Sequence, residues 1–342
     1  MVRSSEMETV IRRLIALEAP KTFILLVFLV SWHAQSKLDK YEYDVIEFFA
    51  GVSMIARVAR MHDLRAVALD ITFDRVTNRP GAMDLTTPSG FALAIMACLR
   101  GKLDGLLSIW GVCCSSWVIT SRGSTGRSFL TPMGFDGHTK VRQANVIGSR
   151  VALLLMLCTA IGGAWLVEQP SQSMLFEHVR LKEMIENWLR TIKVWRQGFW
   201  MMKYKSRTPK RTKVWSNSHI ISRLDLGSLS RSEMNAAAVK TVDRWVSDGK
   251  KKWKANKHLK QTQTYTFRFA KKIIDLRPQL IAPTSRSTIE VSYDLDLKAA
   301  FKKLTYRDKW ADADVTFAIR YVFGCRSVKV PESWRDIIPK CL

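Results

Sequence analysis

Residues 44–72 read DVIEFFAGVSMIARVARMHDLRAVALDIT, and this stretch decides the fold. An apolar run of strand length ends in a turn bearing Gly51. A helix-like stretch follows, then a second apolar run that closes on Asp70. A strand that opens through a glycine into a helix lets backbone N–H groups approach a ligand closely. An acid at the end of the next strand, about 19 residues past that glycine, can accept from both hydroxyls of a ribose. Gly51 and Asp70 together therefore point to an adenosine-bearing ligand.

The same alternation continues on the C-terminal side. The helix-like SGFALAIMACLRG (89–101) is followed by the apolar run GLLSIWG (105–111). The apolar helix candidate NVIGSRVALLLMLCT (145–159) then precedes the strand GAWLVEQP (163–170) and a further helix candidate, Ser173 to Thr191. Short apolar runs between helices are what buried parallel strands look like, so an α/β fold with a mostly parallel sheet is predicted. FWMMKYK (199–205) and TKVWSN (212–217), joined by the polar SRTPKR with Pro209 in the turn, predict a hairpin closing that sheet.

Three segments result: a helical leader over 1–42, an α/β domain over 43–222 and a basic C-terminal extension over 223–342. In the leader, Ile11, Leu14, Ile15 and Leu17 recur near helical spacing ahead of Pro20. Thr22 to Trp32 is apolar for only about eleven residues, short of the roughly 20 that span a bilayer, and is read as a buried helix. A signal peptide is the rival reading, opposed by Glu6, Glu8 and Glu18 upstream and by Trp32 at the usual small-residue slot. The extension contains the basic run KKKWKANKHLK (250–260).

Lys plus Arg total 54 against 30 Asp plus Glu, a formal net charge of +24, so polyanions are the expected partner class and nucleic acid the leading one. The lysine run, with Trp253 interleaved, suits sequence-independent phosphate binding with one stacking residue; a solvated tail or localisation signal is the plain alternative. The six cysteines lack the paired CxxC spacing of a structural zinc site, and the six histidines lack paired spacing too, so no metal is expected. Reduced thiols suit an intracellular location, the nucleus being the compartment expected.

Three further elements carry chemistry. Asp84 can accept an adenine amino group or simply cap a turn. Gly111-Val112-Cys113-Cys114 is a loop after a strand where a cysteine can be exposed as a nucleophile, although free cysteine is commonly buried. Glu168 ends an otherwise apolar run, where a carboxylate is costly unless solvated, paired or protonated for a task.

On these residues the chain resembles the cytosine-5 DNA methyltransferases and their S-adenosylmethionine-dependent relatives, over roughly residues 43 to 220. EFFAGVS resembles their D-L-F-x-G-x-G cofactor turn, with Phe49 and Gly51 matching, Glu47 for the first acid and Ser53 for the second glycine. Asp70 matches the ribose-binding acid, Ile71 the neighbour that packs on adenine, and Asp84-Leu85 the element at the adenine amine. Cys114 falls at the Pro-Cys nucleophile, with Cys113 in place of the proline, and Glu168 at the glutamate of Glu-Asn-Val. Arg211 is the candidate for the arginine that holds base and carboxylate, and Gly324 to Val328 for the final cofactor element.

The resemblance implies a Rossmann-like methyltransferase fold, S-adenosylmethionine as cofactor and a nucleic acid, DNA rather than RNA, as substrate. Cys114 would add to the ring carbon beside the one methylated, while Glu168 hydrogen-bonds the ring nitrogen. The base must be extruded or already unpaired, with Lys205, Arg207, Lys210 and Lys213 among the cations on flanking phosphates. Two alternatives stand beside it: a degenerate nucleic-acid-binding scaffold without turnover, and another nucleotide-using α/β enzyme that needs only Gly51 and Asp70.

Overall fold

A computed structural model of the chain describes residues 4–34, 42–74, 81–188, 192–235, 239, 241–256, 259, 262–294 and 296–304. The segment 324–328 lies outside them.

Strand β1 (Val45–Phe48) runs into α3 (Met54–Met61), after the two leader helices α1 (Ser4–Ala16) and α2 (Lys21–Ala34). Next come β2 (Ala66–Leu69), α4 (Pro88–Leu99), β3 (Leu107–Trp110), the single turn α5 (Arg122–Thr125), α6 (Thr139–Ala160) and β4 (Ala164–Pro170). After the short α7 (Val179–Glu183) come β5 (Trp195–Trp200), β6 (Arg211–Ser216) and α8 (Arg231–Asn235). The chain continues through β7 (Val242–Ser247), β8 (Lys250–Ala255), α9 (Phe267–Leu280) and α10 (Leu297–Lys303).

One six-stranded sheet has the order β2-β1-β3-β4-β6-β5. β1 pairs parallel with β2 and β3, and β3 parallel with β4; β6 is antiparallel to both β4 and β5. The fold is α/β with a mixed, mostly parallel sheet. Its parallel strands β1 to β4 read as largely apolar runs because both faces are covered. On one face Ile46, Phe48, Trp110 and Trp165 pack with α4, α6 and the leader helices. On the other, Val45, Ile109 and Leu166 pack with Ile55 and Val58 of α3 and with Phe269, Ile273 and Leu280 of α9.

The chain leaves β1 toward β2 over the α3 face and returns to β3 over the α4 face, so the direction of winding reverses between β1 and β3. In such sheets the crevice outside the carboxyl ends of the strands at that point is where ligands bind.

The predicted buried helix at 22–32 is α2, whose Phe23 to Val27 are fully enclosed. α6 is long and apolar enough to cross a membrane by length and composition, yet its side chains fill the core. The single helix predicted over 173–191 is broken: a 3-10 turn (Leu175–Glu177), then α7, then one π turn (Met184–Trp188). The break falls at His178, whose ψ of 128° is extended and whose Nδ1 accepts from Arg180 N to start a new helix.

Packing continues past residue 222. Arg277 of α9 pairs with Asp44 at 2.9 Å and donates to Gly105 O, tying this helix to the base of β1 and β3. Half of the extension's basic run is β8, which forms a separate two-stranded sheet with β7.

Candidate functional site

Two clusters gather at the carboxyl ends of β1, β3 and β4. The first is the turn after β1. Phe49, Gly51 and Ser53 all adopt left-handed backbone, with φ of 56°, 54° and 56°. Only glycine holds that conformation without strain, and strain concentrated in one turn is a mark of functional sites. A side chain added at Gly51 would meet nothing within 4 Å, so the space above the turn is open.

Asp70 lies directly beside it: its Oδ2 accepts from Gly51 N at 2.8 Å, and its Oδ1 from Thr72 N and Oγ1 at 2.8 and 2.6 Å. Three apolar side chains near this carboxylate face solvent: Val52 (46 % exposed), Ile71 (44 %) and Phe73 (45 %). An oriented acid flanked by uncovered apolar surface suits a ligand with both a polyol and a flat ring.

Glu47 lies beneath the turn rather than in it. Alternation along β1 puts it on the face of Val45, where α3 begins, and its Oε2 accepts from Ala56 N at 2.8 Å, capping that helix. The residue is 1 % exposed. Its Oε1 is buried without a partner among the described residues. Burial, opposed by bonds from Ala56 and Ile55, pushes its carboxyl up from 4.5 to about 7.

Of the pair expected at the adenine amine, Asp84 accepts from Thr86 N and Oγ1 at 2.8 and 2.7 Å, a turn just ahead of α4. Leu85 is buried in the core. These contacts match the capping reading of Asp84.

The second cluster surrounds Glu168. Strand periodicity places Glu168 on the same sheet face as Leu166 and hence on the face of α9. Lys210 Nζ stands 3.1 Å from its Oε1, and Tyr265 Oη donates to its Oε2 at 3.3 Å. Lys210, not Arg211, is thus the cation on this carboxylate. Arg211 is exposed, its guanidinium 5.4 Å from the Trp200 ring.

Tyr265, two residues before α9, fits against the sheet because residue 111 is glycine: a Cβ there would stand 2.9 Å from Tyr265 Oη. Burial, then the charges of Glu168 and Glu47, raise its phenol well above the ordinary range. Sequence reading missed this residue. The available signal was Thr266 as an N-cap, whose Oγ1 accepts from Phe269 N, followed by Phe269, Ile273, Leu276 and Leu280 at helical spacing.

Cys114 belongs to the Glu168 cluster. It is half-buried, and burial pushes its thiol up to about 11, with Lys210 opposing and Glu168 and Cys113 reinforcing. Cys113 is exposed, its Sγ 3.3 Å from Ser115 Oγ. The turn is anchored from both sides. Gln169 Nε2 donates to Val112 O at 2.6 Å. Buried Arg127 bonds Ser116 Oγ at 3.0 Å and Asn145 Oδ1 at 2.9 Å, and covers the Trp117 ring at 3.6 Å.

Among the expected phosphate contacts, Lys205 and Arg207 are exposed. Lys213 is half-buried beside Arg196 and Arg211, and burial and then those like charges lower its ammonium. Among the described residues, no group of three or more His, Cys, Asp or Glu is placed to hold a metal ion.

Fold and site thus define the chain as an α/β protein with an open Gly51–Asp70 turn beside a Cys114–Glu168–Lys210–Tyr265 cluster. Compared with known proteins, the sequence matches no family model and no curated protein.

Proposed function

We propose that the chain is an S-adenosylmethionine-dependent methyltransferase acting on nucleic acid, with carbon 5 of cytosine in DNA as its target. The observation that carries this reading is convergence: a cysteine turn and a cation-paired glutamate meet at the ends of adjacent parallel strands β3 and β4. The open Gly51 turn with its carboxylate lies at the neighbouring strand.

The donor set around Gly51 fits the cofactor. Asp70 would hold its ribose, and the exposed Ile71 and Phe73 would flank its adenine. The bound group would supply a methyl on a sulfonium.

The remaining steps fall to the chain's own residues. Cys114 sulfur adds to ring carbon 6 of an unstacked cytosine as its thiol proton passes by way of the Glu168 carboxylate to ring nitrogen 3, which Glu168 then holds by a hydrogen bond. Carbon 5 would take the methyl; water then removes the carbon-5 proton as the ring double bond re-forms and the cysteine sulfur is expelled, and the nitrogen-3 proton returns through Glu168 to that sulfur. Lys210 holds the Glu168 carboxylate in place. For the base to reach Glu168, Tyr265 must give up its bond to Oε2, and the length of that bond, 3.3 Å, makes it the weaker of the two.

One observation favours a second reading, a scaffold that binds nucleic acid without turnover. The Cys114 thiol, pushed up to about 11, keeps its proton at neutral pH.

Calorimetry with S-adenosylmethionine tests the proposal, with Asp70→Ala as the control. Micromolar binding lost in the variant supports it, and no binding by folded wild type overturns it. A covalent adduct with a 5-fluorocytosine oligonucleotide, abolished by Cys114→Ala, separates turnover from a silent scaffold.

A further inference from the structure

Among the described residues, the β7–β8 ribbon pairs with no other strand. Its strands are joined by Asp248-Gly249, both left-handed (φ 55° and 68°), the two-residue loop whose twist suits a hairpin. Isolated two-stranded hairpins are only marginally stable in water, so such a ribbon gains by binding something.

The register specifies what. Trp245 pairs with Lys252, Ser247 with Lys250 and Asp243 with Lys254, and cross-strand partners share a face. One face therefore alternates Asp243, Trp245 and Ser247 with three lysine positions. Trp245 is 45 % exposed and its neighbour Val246 68 %. Trp253, the aromatic within the lysine run itself, pairs with Arg244 on the opposite face.

We infer that the ribbon is a binding arm for single-stranded nucleic acid, with phosphates met by Lys250, Lys252 and Lys254 and one base stacked on Trp245. An exposed aromatic amid lysines at two-residue spacing fits a polynucleotide whose bases are free to stack; a stacked duplex offers phosphates but no open base face. The inference rests on the nucleic-acid part of the proposed function. The arm is also joined to the site by a short connection: residues 256–264 separate β8 from Tyr265, a reach of at most about 36 Å.

The test is binding of a fluorescein-labelled oligothymidylate of about 20 nucleotides, followed by anisotropy over roughly 50 to 200 mM salt without cofactor. Converting Lys250, Lys252 and Lys254 together to Gln should lower the slope of log K against log salt by about 2, at roughly 0.7 per phosphate. Trp245→Ala should weaken binding about tenfold with the slope unchanged, and Trp245→Phe should restore most of it. An unchanged melting curve checks that all three variants fold.

The inference fails if wild type does not bind the strand or if neither variant alters binding. It fails equally if a duplex or phosphatidylserine vesicles are held as tightly, indifferent to Trp245→Ala. Because cofactor binding and the Cys114 adduct are measured separately, loss of either with ribbon binding intact would sink the catalytic reading and leave the arm standing.

Discussion

Replacing Glu47 by Gln should stabilise the protein at pH 8 relative to pH 5. Burial raises this carboxyl from 4.5 to about 7. In the unfolded chain it ionises near its ordinary value. Between about 4.5 and 7 the folded state therefore keeps a proton that the unfolded state has lost, and stability falls as pH rises through that window. At about 1.4 kcal/mol per pH unit the loss reaches roughly 3 kcal/mol above pH 7. Gln keeps an acceptor for Ala56 N but has nothing to ionise. Urea unfolding of both proteins at pH 5 and pH 8 gives the test, with a gain for the variant between the two pH values of about 2 to 3 kcal/mol. An equal difference between the proteins at both pH values would refute the claim that Glu47 titrates near neutrality.

Lys210→Met should destabilise by about 3 kcal/mol, because Glu168 would be left buried without its cation; the double variant with Glu168→Gln should recover much of this in urea titrations. Recovery absent from the double variant would dissociate the two residues. With iodoacetamide at pH 7.5, mass spectrometry of peptides should find exposed Cys113 alkylated well before Cys114, whose rate climbs roughly tenfold per pH unit toward 10. A faster Cys114 would mean that its thiol is not pushed up. Gly51→Ala should cost about 1 kcal/mol of stability from its left-handed backbone but far more in S-adenosylmethionine affinity, since the added methyl enters open space above the turn. Unchanged cofactor affinity would remove Gly51 from the site.

Much of the sheet was legible in order. The apolar runs ending at Phe49, Leu69, Trp110 and Val167 are strands, because a strand buried on both faces advertises itself by composition alone. The hairpin around Pro209 was legible only in part: TKVWSN is β6, but the strand read at 199–205 ends at Trp200, where β5 gives way to a 3-10 turn over Met201–Tyr204. The β7–β8 hairpin went unread although Asp248-Gly249 is a strong local signal, because charge masked the strands on either side: a lysine-rich run resembles a solvated tail until its partner strand is known.

What the chain determines by itself is local: where apolar runs start and stop, where Gly51 permits a left-handed turn, and that Asp70, Cys114 and Glu168 stand at strand ends. Only tertiary structure decides who meets whom. Lys210 rather than Arg211 reaches Glu168, and Tyr265 closes on the same carboxylate from 97 residues away. Glu47, an apparent member of the ligand turn, is buried beneath it with its carboxyl raised. The physical reason is that contact between distant residues follows from strand register and helix packing. Those depend on both sheet faces being covered at once, a condition that no short window of sequence contains.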